Sequence, residues 1–134
     1  MIVVLDTNVF VSGVFFKGPP YEILNAWRRR KFDLGISQEI LEEYRRVGKS
    51  LGADYPAIDL EPILHLVVQH AKLYDPPVLP AQVCEDPDDD KFIACALACG
   101  DKIIVSGDKH LIKISGFQDI TVYKPRAFSD KYFG

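Results

Sequence analysis

Ile2-Val3-Val4-Leu5-Asp6-Thr7-Asn8 decides the fold. Four apolar residues in a row, three of them β-branched, describe a strand buried on both faces, as parallel sheets require. The run then meets an acid. Lys102-Ile103-Ile104-Val105-Ser106-Gly107-Asp108 repeats the pattern near the other end of the chain, again with an aspartate just past the strand. Between them, Phe32 to Ile36 and, later, Ile120 to Tyr123 read as further short strands.

Helical periodicity fills the intervals. Pro19-Pro20 opens a segment to Lys31 with Ile23, Leu24 and Trp27 at helical spacing. Ser37 is placed as the N-cap of a helix whose stripe is Ile40, Leu41, Tyr44, Val47 and Leu51, with Gly52 expected to end it. Another helix is expected from Leu60 to Leu73, using Ile63, Leu64, Val67 and Val68. Asp75 to Pro87 carries Pro76, Pro77, Pro80 and Pro87 and reads as an extended connection. Asp88 to Ala98 reads as an Ala-rich helix, Lys109 to Ile114 as a short one, and the residues after Pro125 as a polar-aromatic tail. Strands alternating with helices predict an α/β domain with a mostly parallel sheet covered on both sides.

The chain has 134 residues, 48% of them apolar, which fits one domain (1–134) with a real core. A formal net charge of −3 argues against a protein that grips nucleic acid by bulk electrostatics alone. Cys84, Cys95 and Cys99 make no disulfide framework, and no other soft ligand accompanies the pair at 95 and 99 to hold zinc. The first residues reach Asp6 too soon for a signal peptide or membrane span, so a cytoplasmic protein is expected.

The chemistry is carried by the acids. In open parallel sheets, ligands bind at the carboxyl ends of the strands, where strand order reverses. Asp6 and Asp108 lie at two such ends, although an Asp there also serves as a plain helix N-cap. At 100° per residue, Glu42 falls on the water side of its helix and Glu43 at the border of the buried face. Taken alone, Glu43 reads rather as an ordinary salt bridge to Arg46 or to a neighbour of Val47. Glu85-Asp86-Pro87-Asp88-Asp89-Asp90 is a common kind of helix start. Its wheel nevertheless puts Asp89 and Asp90 on the inner side, with Asp88 and Lys91 pointing out. Acids on a core side are costly unless paired or bound to a cation. His65, His70 and His110 form no triad, and no glycine-rich phosphate loop is present. An oxygen-only acidic cluster selects hard cations, magnesium or manganese.

Val3-Val4-Leu5-Asp6-Thr7-Asn8, Ser37-x-x-Ile40-Leu41-x-Glu43-Tyr44, Asp86-Pro87-Asp88-Asp89-Asp90-Lys91-Phe92-Ile93 and Val105-Ser106-Gly107-Asp108, in that order, resemble a PIN domain. The string is most similar to stand-alone prokaryotic PIN proteins classed as toxin components of toxin–antitoxin pairs. The resemblance implies a Rossmann-like three-layer α/β/α fold and a metal-dependent endoribonuclease using Mg2+ or Mn2+. By motif position, Asp6, Glu43, Asp90 and Asp108 would be the catalytic and metal-binding acids. Asp89 is the alternative third acid, since some relatives carry it one place earlier, and Asp86 is a weaker one. Asn8 and Ser106 would support the site. RNA as substrate, a small antitoxin, a homodimer and no membrane contact are the expected partners.

Basic residues at Arg28 to Lys31, Arg45, Arg46, Lys49 and Lys109 are candidates for holding RNA phosphates, each against the ordinary alternative of a surface charge. Other readings stay open: a housekeeping RNA-processing nuclease, or a catalytically silent RNA-binding scaffold. A haloacid-dehalogenase-type phosphohydrolase also starts with a buried strand ending in Asp, but it expects a second Asp where this chain has Asn8.

Overall fold

The computed structural model describes residues 1–134. Five short strands, β1 (Ile2–Leu5), β2 (Asp33–Ser37), β3 (Lys72–Tyr74), β4 (Ile103–Val105) and β5 (Thr121–Tyr123), form one sheet. All neighbouring strands are parallel, in the order β3-β2-β1-β4-β5. β1 is central, and Val3, Val4 and Leu5 are almost wholly buried, as a strand covered on both faces must be. It pairs Val3 with Leu34 on one side and Val3, Val4 and Leu5 with Ile103, Ile104 and Val105 on the other.

Seven helices make the outer layers of the α/β/α sandwich: α1 (Thr7–Phe15), α2 (Pro19–Arg28), α3 (Gln38–Asp54), α4 (Glu61–His70), α5 (Asp90–Ala98), α6 (Lys109–Lys113) and α7 (Pro125–Phe133). The Ser37 hydroxyl caps α3 by accepting from the Ile40 N–H at 3.3 Å. Tyr44 on α3 stacks flat on Phe10 of α1 with ring centroids 4.2 Å apart. Its hydroxyl donates to the Leu5 carbonyl at 2.6 Å, which pins α3 to the end of β1. Gly13 lets α1 and α2 cross closely, since a Cβ there would stand 2.7 Å from the Pro20 carbonyl oxygen.

Several elements differ from the sequence expectation. Asp6-Thr7-Asn8 ends β1 as expected, and the stretch up to Phe15, for which the sequence suggested no element, is helix α1. The helix expected to reach Leu73 stops at His70, because Ala71 turns to extended backbone. Lys72 to Tyr74 then pairs with Gly35 to Ser37 as an edge strand. Val68, placed in that helix's apolar stripe, is 57% exposed. Gly52 does not end α3, which continues to Asp54. The aromatic tail is helical: Pro125 occupies the first turn of α7, and Phe128 packs edge-on against Phe32 at 5.8 Å. A 3-10 turn at Pro87–Asp89 precedes α5, so Asp88 and Asp89 lie outside the α-helical wheel used to orient them.

No helix is long and apolar enough to cross a membrane.

Candidate active site

The strand order reverses between β1 and β4, and that crevice is where the acids gather. Asp6 leaves the end of β1 with its N–H bonded to the Val105 carbonyl of β4 at 3.0 Å. It stands at the N-cap position of α1, yet its side chain makes no capping hydrogen bond. One carboxylate oxygen instead accepts from the fully buried Ser106 hydroxyl at 2.7 Å. Ser106 in turn accepts from the Asp108 N–H at 2.9 Å. This relay ties the ends of the two central strands together and fixes Asp6 toward the crevice.

Burial raises the Asp6 pKa. The Ser106 hydroxyl opposes that rise, the Asp108 charge adds to it, the nearby Asn8 backbone N–H opposes it, and Glu43 adds again. Asp108 caps α6 through a 2.7 Å bond from the His110 N–H to Oδ1. A cap role and a place in the cluster therefore coexist in one side chain.

The two aspartates ahead of α5 behave differently. Asp90 spends both carboxylate oxygens on the preceding loop, accepting from the Val83 N–H at 3.0 Å and the Cys84 N–H at 2.8 Å. Asp89 has no such partners, and its Oδ2 is buried without a hydrogen bond. Its pKa is pushed up to about 6, first by burial, then by the charges of Asp108, Asp86, Asp6 and Asp88. Of the two, Asp89 faces the other acids of the crevice. Asp86 caps the 3-10 turn through the Asp88 N–H at 3.0 Å.

Glu43 is 9% exposed and Glu42 is exposed, which agrees with the helical wheel. One Glu43 oxygen accepts from the Thr7 hydroxyl. The other accepts from the Lys91 ammonium at 2.9 Å. Arg46 approaches the same oxygen at 3.6 Å from solvent, a weak addition because its side chain is 72% exposed. The wheel erred on Lys91, which points inward and has a side chain only 5% exposed. Its helix, α5, packs against α3 as well as against β1, β2 and β4, so the buried arc is wider than one sheet-facing stripe. Burial pulls the Lys91 pKa down, but hydrogen bonds and charge from Glu43 and Asp88 outweigh it and the net shift is upward.

Thr7 and Lys91 are the site residues that sequence reasoning missed. The signal for Thr7 was its place between Asp6 and Asn8; that for Lys91 was a lysine directly after three acids. Asn8 is exposed and holds no side-chain bond. Arg45, Arg46, Lys49 and Lys109 are all on the surface or partly so, and Lys109 adjoins Asp108. Arg28 to Lys31 lead into the start of β2, at the amino end of a parallel sheet, away from the acids at its carboxyl end. Cys95 and Cys99 are both buried in the core.

No three His, Cys, Asp or Glu side chains stand close enough together to hold a metal ion as the structure places them. No curated protein matches the chain. The family model described as PIN domain matches residues 2–110, a span that takes in every acid described above. On a match covering most of its length, the chain belongs to the PIN-domain family.

Proposed function

We propose that the protein is a metal-dependent endoribonuclease, using Mg2+ or Mn2+, and that it serves as the toxin of a toxin–antitoxin pair. The observation that carries the reaction is the group of Asp6, Asp89 and Asp108 at the β1/β4 crevice, where burial, and after it mutual repulsion, raises the pKa of Asp6 and Asp89. PIN domains are generally nucleases, which supports a hydrolase. The toxin role is supported by the motif resemblance to stand-alone PIN proteins.

The donor set fits a hard cation. It is oxygen only, and it includes an orphaned buried oxygen on Asp89. Magnesium is held by one or two carboxylates and keeps several waters, so an incomplete cage suits it. Asp6, Asp89 and Asp108 would hold the ion, which when bound activates water and offsets charge on the phosphodiester. This reading takes Asp89 rather than Asp90 as the third acid, supported by the two backbone N–H bonds that already occupy Asp90. Ser106 keeps Asp6 aimed at the crevice, and outer partners of this kind commonly matter about 10–100-fold. Asp90 holds the preceding loop at Val83 and Cys84. Arg45, Arg46, Lys49 and Lys109 supply positive charge at the rim for RNA phosphates. A small antitoxin would silence the site by laying Arg or Lys against the acids, with the nuclease as a homodimer.

Purified protein is expected to cut single-stranded RNA with Mg2+ or Mn2+, leaving 5′-phosphate and 3′-hydroxyl ends, and to stop in chelator. Equal cleavage in excess chelator defeats the metal mechanism. Growth arrest on expression, relieved by a small gene encoded beside it, tests the toxin role separately.

A further inference from the structure

The buried lysine paired with Glu43 and Asp88 is unaccounted for by the reaction outlined above. Lys91 sits in the first turn of α5 with its side chain 5% exposed, bonded to Glu43 at 2.9 Å and to Asp88 at 3.1 Å. Burying an ammonium costs several kcal/mol unless it is paired with good geometry. The chain meets that cost with a partner 48 residues away on another helix.

The pairing has a consequence for Glu43. One of its oxygens is taken by Thr7 of α1 and the other by Lys91 of α5, so the carboxylate is engaged at both ends before any ion arrives. Sites that work with two metals set them about 3.5–4 Å apart and need carboxylates free to hold each ion. Here the carboxylate on the α3 side of the pocket already faces a fixed positive charge. Asp6, Asp89 and Asp108, by contrast, face one another, and Asp89 keeps a buried oxygen without a partner.

We infer that Lys91 is a built-in cation standing where a second metal ion would otherwise bind, so that the site takes one divalent ion and Glu43 acts by positioning rather than as a ligand. The inference rests on the metal-site reading above. The Lys91 ammonium already lies against Glu43 and Asp88, so a second ion placed there would meet like charge. Lys91 is thus a positioning residue that sets how many ions bind.

Equilibrium dialysis against Mn2+, with free ion read by electron paramagnetic resonance, tests this without any activity measurement. Wild type is expected to bind one Mn2+ per chain, Lys91→Arg one, and Lys91→Met two, because removing the ammonium frees Glu43. Two ions on wild type, or one on Lys91→Met, overturns the inference while leaving the metal site intact. No ion on wild type overturns the metal reading itself, and this inference with it. Should Lys91→Met fail to fold, Glu43→Gln decides: one ion at near wild-type affinity supports the positioning role. A loss beyond about tenfold, the scale at which ligand-shell changes register, makes Glu43 a ligand and overturns it.

Discussion

The acidic pocket has two halves built from the same residue types, and they differ in how fully their oxygens are engaged. On the α3 side, Glu43 is bonded by Thr7 and Lys91. At the β1/β4 crevice, Asp6 has one hydroxyl partner and Asp89 has a buried oxygen with none. Unpaired buried charge is costly, so it persists where something that binds later can compensate it. The contrast recurs between neighbours: Asp90 closes two backbone hydrogen bonds while Asp89, one residue earlier, closes none on its inner oxygen. Acid content alone thus says little about where an ion goes; engagement of each oxygen says more.

The largest effects should fall on the unsatisfied half. Asp6→Asn and Asp89→Asn are expected to lose RNA cleavage by more than the ~10–100-fold typical of outer partners, since each removes a ligand charge. Glu43→Gln should lose activity within that range, and Glu42→Gln, which faces water, should stay near wild type. Cleavage rates of the four variants under saturating magnesium measure this directly. If Glu43→Gln fell as far as Asp6→Asn, the division of the pocket into two halves would fail.

How much of this was legible beforehand depends on the range of the interaction involved. β1 and β4 announce themselves because four or five consecutive residues carry the signal, and the acids that end them follow at once. The split between Glu42 and Glu43 follows from helical geometry over one turn. β3 was hidden because Leu73 is 62% exposed and Lys72 exposed, so an edge strand of three residues has no apolar pattern. Inward-facing Lys91 was hidden for a different reason. Its orientation depends on α3 packing beside α5, a contact between residues 48 apart that no local periodicity contains. The choice between Asp89 and Asp90 likewise turns on two N–H groups in a proline-rich loop, whose path local patterns leave open.

That choice sets the next test, in stability rather than rate. Asp90→Asn keeps one acceptor oxygen but turns an NH2 group toward a backbone N–H of Val83 or Cys84. Losing one charge-assisted hydrogen bond there should cost about 1.5–3 kcal/mol. Thermal melts should then show a fall of several degrees, while Mn2+ affinity changes little because Asp90 is not a ligand in this reading. A variant with normal stability and lost metal binding would return Asp90 to the ligand set and remove Asp89.

The smallest expected effect isolates the unsatisfied half without any metal. The pKa of Asp89 lies at about 6 in the folded protein against an ordinary value of 3.8, so the folded state holds that proton longer than the unfolded chain does. Its favourable contribution is complete below pH ~4 and is lost as pH rises through about 6. In chelator, wild type should therefore lose stability across that window more steeply than Asp89→Asn, which has no carboxyl to ionise. Because Asp89 is partly exposed, solvent screening limits the difference to about 1 kcal/mol, or roughly 3–6 °C for a domain of this size. The asparagine variant should thus be the more stable protein at pH 7 without metal. Magnesium should reverse the order, since an ion that binds only the folded state stabilises the protein that holds it better. Parallel melting curves for the two proteins from pH 4 to 7 would mean that Asp89 is ordinary surface acid, and the two halves of the pocket would no longer differ.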